Sequence, residues 1–434
     1  MNITVVGAGY VGLVTAAVFS ELGNNVHCID IDKARVENLK KGIVPFFEPS
    51  LEEYIRRNSS QKRLFFTTDY KTAVPDSDIV FICVGTPPKE NGEANLEYLF
   101  SAVEETAKNL HGYTLITIKS TVPIGFEDDL EKIAKKHAKN NFEFASSPEF
   151  LREGTAIEDT LNPDRIVIGT KSEKAKKILL DLHAQISGER IFCDIRSAQL
   201  IKYAANAFLA TKVSYANSIA VLCEKMGADV EKVLAGVGAD KRIGKAFFYP
   251  GVGYGGSCLP KDVQAFIHIA QRFDYQLPIL SAVDTINSDQ IERFVNKIRE
   301  ALDSKEGKAE NLSGKKIAIL GLSFKPNTDD MREAPSIKII RKLLDLDAHI
   351  TAYDPQAIET AKKIMPDISY GKSIQDTLNG KDILVLVTEW PEFRELDLKQ
   401  IKSLLKNPII VDGRNALDKQ EAIKLGFKYF GVGR

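Results

Sequence analysis

Only five of the 434 residues are cysteines, Cys28, Cys83, Cys193, Cys223 and Cys258; they are scattered, odd in number, and include no Cys-x-x-Cys pair. That argues against a disulfide scaffold and against a zinc site, so free thiols are expected. An excess of charge of either sign is missing too: 58 Lys and Arg against 59 Asp and Glu leave a formal net charge of -1. There is no global basic field for nucleic acid or an anionic membrane, and an anionic ligand must be small and held by a local cluster. No apolar run is long enough to span a bilayer, and Met1 to Ile3 lead into a strand pattern without the basic and apolar segments of an export signal. The expected location is the cytoplasm.

What is present is a long chain of ordinary globular composition, 44% hydrophobic and 27% charged. At roughly 100 to 200 residues per domain, two to four domains are expected. Short β-branched runs alternate with helical patterns: Ile3 to Val6, Val26 to Asp30, Ile79 to Val84, Leu115 to Ile118 and Phe142 to Ser146 read as strands. The run Ile79-Val80-Phe81-Ile82-Cys83-Val84 is apolar throughout, as in a strand covered on both faces by helices. The prediction is an α/β fold with a doubly wound parallel sheet.

After about Asp194 the pattern changes, and Ala198 to Met226 carries a helical period with no internal Gly or Pro. Its apolar residues Leu200, Ile201, Ala204, Phe208, Ile219 and Leu222 are either intrachain core or a subunit seam. The charged stretch Asp303 to Asn311 reads as a surface linker. Strand and helix alternation then resumes at Lys316 to Leu320, Ile350 to Tyr353, Ile383 to Val387 and Ile409 to Val411. The first turn of this second α/β region, Gly321-Leu322-Ser323-Phe324, lacks a three-glycine fingerprint and need not hold a second dinucleotide.

Near the N-terminus, Gly7, Gly9 and Gly12 have the Gly-x-Gly-x-x-Gly spacing between a strand and a helix. Such a turn brings backbone against a pyrophosphate at a helix N-terminus. The next strand ends in Asp30, where a ribose-binding carboxylate belongs, which favours NAD over NADP; nearby Lys33 and Arg35 leave a 2'-phosphate conceivable.

Cys258 stands apart from the other thiols. It lies in Gly255-Gly256-Ser257-Cys258-Leu259-Pro260-Lys261-Asp262, where glycines allow close approach and a cation and a carboxylate are near. That is the setting of a nucleophilic thiolate. Lys202 and Asn206 are four apart, so they either converge on one ligand atom or decorate a solvated helix face. Glu149 and Glu153 follow a predicted strand end, where α/β folds place ligands.

These segments, with Val84-Gly85-Thr86-Pro87, Lys119-Ser120-Thr121-Val122-Pro123 and Phe324 to Glu333, together resemble the UDP-glucose/GDP-mannose dehydrogenase family over nearly the whole chain. The resemblance implies two Rossmann-like doubly wound domains joined by a long central helix and a helical dimerisation domain. Its divisions are 1–195 for NAD, 196–302 for dimerisation and catalysis, and 303–434 for the UDP-sugar. It implies Cys258 as nucleophile, Lys202 and Asn206 as oxyanion stabilisers, and Asp262, Thr121 and Glu149 as organisers of water and proton transfer. NAD contacts are implied for Gly7, Gly9, Tyr10, Val11, Gly12, Asp30, Arg35, Thr86, Thr121, Glu153, Lys261 and Arg332. Nucleotide-sugar contacts are implied for Glu149, Phe150, Leu151, Arg152, Glu153, Lys202, Asn206, Arg242, Phe247, Phe248, Tyr249, Pro250, Gly251, Gly255, Phe324, Lys325 and Arg414. Arg242 is expected to reach a neighbouring subunit.

The implied reaction is a four-electron oxidation of UDP-glucose at C6 by two NAD through a thiohemiacetal and a thioester, in a homodimer without metal. GDP-mannose or another nucleotide sugar is the alternative substrate, and a catalytically silent NAD or sugar-nucleotide sensor is the alternative of a different class. One local departure from the family pattern is Phe46-Phe47-Glu48-Pro49-Ser50, where relatives often carry Tyr and Gly.

Overall fold

A computed structural model describes residues 1–87, 89, 93–302 and 311–434. Residues 303–310 of the expected linker lie outside the described residues. The chain divides into two compact units, one of residues 1–205 with 264–275 and one of residues 206–263 with 276–434.

The first unit is built on eight strands: β1 (Asn2–Val6), β2 (Asn25–Ile29), β3 (Leu64–Thr67), β4 (Ile79–Ile82), β5 (Thr114–Ile118), β6 (Phe142–Ser146), β7 (Arg165–Gly169) and β8 (Glu189–Cys193). Their order is β3-β2-β1-β4-β5-β6-β7-β8, parallel except at the β6–β7 pair. The order reverses direction beside β1, and a doubly wound sheet binds ligands at that switch point, outside the strand C-termini. Every residue of β4 and β5 is buried, the reason β4 reads as an unbroken apolar run.

The second unit repeats the plan with β9 (Lys316–Leu320), β10 (His349–Tyr353), β11 (Ser369–Tyr370), β12 (Ile383–Leu386), β13 (Ile409–Asp412) and β14 (Lys428–Phe430). All are parallel, in the order β11-β10-β9-β12-β13-β14. Its first turn is closed from within: Asp354, after β10, accepts from the backbone N–H groups of Leu322 and Ser323 at 2.7 and 3.1 Å. The Ala8 N–H of the first unit meets Asp30 in the same way, and the second turn differs in committing the Ser323 N–H as well.

The predicted helix from Ala198 begins three residues earlier, as Ile195–Met226. Of its apolar residues, Ile219 packs against the core of the second unit. Leu200, Phe208 and Leu222 are instead 45%, 63% and 50% exposed.

Candidate active site

The dinucleotide turn follows directly from β1. Gly7 has φ +102°, and a Cβ on Gly12 would lie 1.8 Å from the Gly7 carbonyl oxygen, so the helix can start this close to the strand only without a side chain there. The helix Tyr10–Glu21 has no side-chain cap and no acidic residue in its first turn, and a Cβ on Gly9 would meet nothing within 4 Å. Uncapped amides beside open space fit the pyrophosphate of NAD.

Asp30, buried just past β2, accepts from the Ala8 N–H at 2.8 Å and from Arg35 at 3.0 Å. The basic residue expected at the cofactor thus lies beside the carboxylate expected at the ribose. Thr86 donates to the carbonyl of Thr121 at 3.0 Å, joining the turns after β4 and β5.

At the C-terminal end of β6 the segment Ser147 to Gly154 carries Glu149. Its Oε1 accepts from the Lys202 ammonium at 2.7 Å and its Oε2 from the Leu151 N–H at 2.8 Å. Both members of this ion pair are buried, at 8% and 4% side-chain exposure. Sequence spacing alone left Lys202 open between ligand contact and solvated surface; its burial against Glu149 removes the second reading. Lys119, to which the sequence reading gave no role, is also buried here. Burial pushes its ammonium below the usual lysine range, Glu149 opposing the shift and Lys202 adding to it. Arg152 points away, paired with Asp159 at 2.6 Å.

In the second unit Asn206 donates to Asp262 at 2.6 Å, and the Lys261 ammonium meets the other oxygen of that carboxylate at 2.6 Å. Asp262 is almost wholly buried, with two charge-assisted bonds to hold it. The thiol of Cys258 is exposed. Helix Leu259–Arg272 starts at the next residue, and the positive end of a helix favours thiolate. The glycines before it are set by close approach: a Cβ on Gly255 would lie 2.3 Å from the Glu333 carbonyl oxygen.

Arg414 ties this loop to the second sheet, donating to the carbonyls of Val387 and Gly253 at 2.8 and 3.1 Å. Asn217 accepts from the Gly251 N–H at 2.8 Å, and Gln290 donates to the Gly251 carbonyl at 2.8 Å. Lys325 lies over the Phe324 ring at 5.6 Å. Arg332 pairs with Asp330 at 2.6 Å. Arg242 pairs with Asp240 at 2.6 Å while remaining 88% exposed along its side chain. Phe248 is partly buried against the second unit's core, whereas Tyr249 is 68% exposed.

Sequence reasoning missed Glu48, Asn217 and Gln290. For Glu48 a signal existed, an acid between aromatics and a proline; its partners are more than 35 residues distant and no local pattern names them.

A doubly wound sheet with an open glycine turn and a carboxylate closing β2 defines a dinucleotide-binding protein. Comparison with known proteins gives the family. Residues 1–187 match the NAD binding domain, 196–289 the central domain and 318–419 the UDP binding domain of the UDP-glucose/GDP-mannose dehydrogenase family. The chain is 46% identical, over its whole length and 98% of the relative, to UDP-glucose 6-dehydrogenase YwqF of Bacillus subtilis (strain 168). It is 43% identical over the whole of both chains to UDP-glucose 6-dehydrogenase of Rhizobium meliloti (strain 1021). The solved UDP-glucose dehydrogenase of Pyrobaculum islandicum superposes with TM-score 0.91 at 36% identity, covering 99% of this chain and 97% of that one. The chain belongs to the UDP-glucose/GDP-mannose dehydrogenase family and is an NAD-dependent oxidoreductase. Among the described residues, no helix is long and apolar enough to cross a membrane.

Proposed function

We propose that the chain oxidises UDP-glucose at C6 to UDP-glucuronate through a covalent adduct on Cys258. NAD, when bound at the glycine turn, is the hydride acceptor, and the balance requires two per sugar. The C6 alcohol loses a hydride and a proton to become an aldehyde. The Cys258 thiolate then adds to C6, forming the S–C bond and an oxyanion that is protonated to the thiohemiacetal. Loss of a second hydride and the hydroxyl proton gives the thioester. Water attacks the thioester carbon, the S–C bond breaks, the Cys258 thiol is regenerated, and the carboxylate leaves with one proton given up to solvent.

Lys202 and Asn206 donate to the oxygen on C6 whenever it is anionic, an interaction worth about 3 to 4 kcal/mol in a water-excluded site. Asp262, Glu149 and Thr121 order the hydrolytic water and carry its protons. Phe247 to Gly251, Gly255, Arg242, Phe324, Lys325 and Arg414 hold the nucleotide sugar, and Glu153, Lys261 and Arg332 serve NAD.

The observation that carries this reading is the buried Asp262 carboxylate, held by Asn206 at 2.6 Å, one helical turn beyond the exposed Cys258. The relatives' names supply the sugar. The test is NADH formed per limiting UDP-glucose, with excess NAD and a parallel GDP-mannose sample. Two NADH from UDP-glucose are expected. One NADH would remove the thioester step, and turnover of GDP-mannose alone would reassign the substrate.

We further propose a three-part working division, 1–195, 196–302 and 303–434, and a homodimer seated on the long helix. Phe208, Tyr215, Leu222 and Met226 of that helix are 63%, 48%, 50% and 78% exposed, a stripe of the kind that marks association. A monomeric mass by sedimentation at micromolar concentration would reject the dimer. The reading includes a reducing, cytoplasmic setting, which five free cysteines support.

A further inference from the structure

The chemistry above leaves the loop Phe46-Phe47-Glu48-Pro49-Ser50 unused. Its central carboxylate is nonetheless 5% exposed, and a buried carboxylate persists only when its oxygens are satisfied. Three donors from two distant segments do so. Glu48 Oε2 accepts from the Tyr10 hydroxyl and from the Gly154 N–H, and Oε1 accepts from the Ala156 N–H at 2.7 Å.

Tyr10 is the first residue of the helix opened by the glycine turn, and its ring packs on Phe46 with centroids 4.7 Å apart. Gly154 and Ala156 close the segment that carries Glu149 and Glu153. Helix Ala156–Leu161 has no cap from its own Thr155; Glu48 supplies one from a different part of the chain. Gly154 N–H also reaches the Tyr10 hydroxyl at 3.1 Å, so the three groups form a closed set.

We infer that Glu48 is a positioning residue for the oxidation, setting the dinucleotide turn and the Glu149–Glu153 segment in register with each other. The segment is fixed at both ends, at Glu149 by Lys202 and at Gly154 and Ala156 by Glu48. Between those anchors stands Glu153, which has a place in the proposed NAD contacts. A loose anchor at Gly154 lets the Glu149 carboxylate drift, and small displacements of a reacting group cost rate steeply. The phenol stays protonated as the donor, because burial first and the Glu48 carboxylate second push its titration far above the usual tyrosine range.

The test is Glu48→Gln and Tyr10→Phe, read by NAD calorimetry without sugar and by steady-state kinetics. In Glu48→Gln the amide must turn a donor toward Tyr10 or a backbone N–H. Losing a bond to a charged acceptor predicts an NAD dissociation constant raised and kcat lowered, each by about tenfold. Tyr10→Phe, which keeps the helix cap, should raise the NAD dissociation constant about threefold or more. Calorimetry makes the NAD arm independent of the sugar assignment, so a wrong substrate and a wrong role for Glu48 are told apart. Unchanged NAD affinity and kcat in both variants, with only a lower melting temperature, overturns the inference. If Glu48→Gln does not fold, unchanged NAD affinity in Tyr10→Phe does the same.

Discussion

Lys202 holds Glu149 through a 2.7 Å ion pair that is buried on both sides. Removing one partner of such a pair costs about 3 to 5 kcal/mol, because the other charge is left unpaired. Lys202→Met should fall near the lower end of that range, since the buried Lys119 also faces Glu149. Its kcat should fall by about 100- to 1000-fold if the ammonium stabilises the oxyanion. Adding Glu149→Gln should restore most of the stability and none of the rate. Urea melts and kcat on the three proteins check this; recovery of rate in the double variant would show that Lys202 serves only to neutralise Glu149.

The five thiols differ in exposure. Burial pushes Cys83 up to about 12 and Cys28 well above the ordinary thiol range, and burial raises Cys193 as well. Cys258 is the exposed one, at a helix N-terminus. Iodoacetamide at neutral pH should therefore add a single carbamidomethyl group, at Cys258, with parallel loss of NADH formation. Peptide mass mapping reads the site. First labelling at Cys193 would contradict the assignment. Cys258→Ser should melt within about 0.5 kcal/mol of the parent, as an exposed substitution does, while losing the second oxidation.

His183 gives the stability a pH dependence. Burial lowers its ring to about 4, with Lys119 and Arg190 adding to the shift, although its Nδ1 bond to the Leu179 carbonyl opposes it. The folded value lies below the unfolded 6.5, so the unfolded chain takes up a proton first. The contribution is complete above pH 6.5 and is lost as pH falls toward 4, about 1.4 kcal/mol per unit and about 3 kcal/mol in all. In urea melts at pH 7.5, 5.5 and 4.5, His183→Gln should lose less stability than the parent over that window. Parallel curves would remove His183 as the cause.

The parts of the fold legible in the sequence were those whose signal is local. β4 is apolar at every position because helices cover both faces, and the glycine turn with Asp30 is a short-range pattern. β3, β7, β8 and β11 are not among the strands expected from the sequence: β3 and β8 lie at sheet edges with Phe65 and Phe192 exposed at 40% and 43%, β11 is two residues long, and for β7, buried from Ile166 to Gly169 inside the sheet, edge position is no explanation. β14 is three residues long. Within the site, Lys202 and Asn206 were visible as a pair one helical turn apart. Their bonds to Glu149 and Asp262 span 53 and 56 residues, and only the family resemblance connected those positions. The loop around Glu48 stands out in the sequence, but its partners lie 38, 106 and 108 residues away and no local pattern names them.

That same loop contains a correctable strain. Ser50 sits at φ +67°, a left-handed conformation, immediately before helix Leu51–Ser60 and without capping it through its side chain. A non-glycine residue there costs about 1 to 2 kcal/mol, of which glycine's extra freedom in the unfolded chain takes back about half. Ser50→Gly should raise stability by about 0.5 to 1 kcal/mol at unchanged kcat. Denaturant midpoints measure it, and a lower midpoint would mean the serine contributes something its backbone angle does not reveal.

Cofactor choice can be tested at Asp30 and Arg35, which form an ion pair after β2. The carboxylate takes the Ala8 N–H at 2.8 Å and the Arg35 guanidinium at 3.0 Å, so a 2'-phosphate would displace an existing ion pair and face a like charge. Asp30→Ser removes the repulsion and releases Arg35 to meet phosphate, for which its planar fork is suited. A charge-assisted bond of about 1.5 to 3 kcal/mol then predicts a shift of roughly 10- to 100-fold in kcat/KM toward NADP relative to NAD. Adding Arg35→Ala should cancel that gain, because the new preference would depend on the guanidinium alone. A gain that survives the second substitution would place the phosphate contact elsewhere, with Lys33 as the next cation in the same turn.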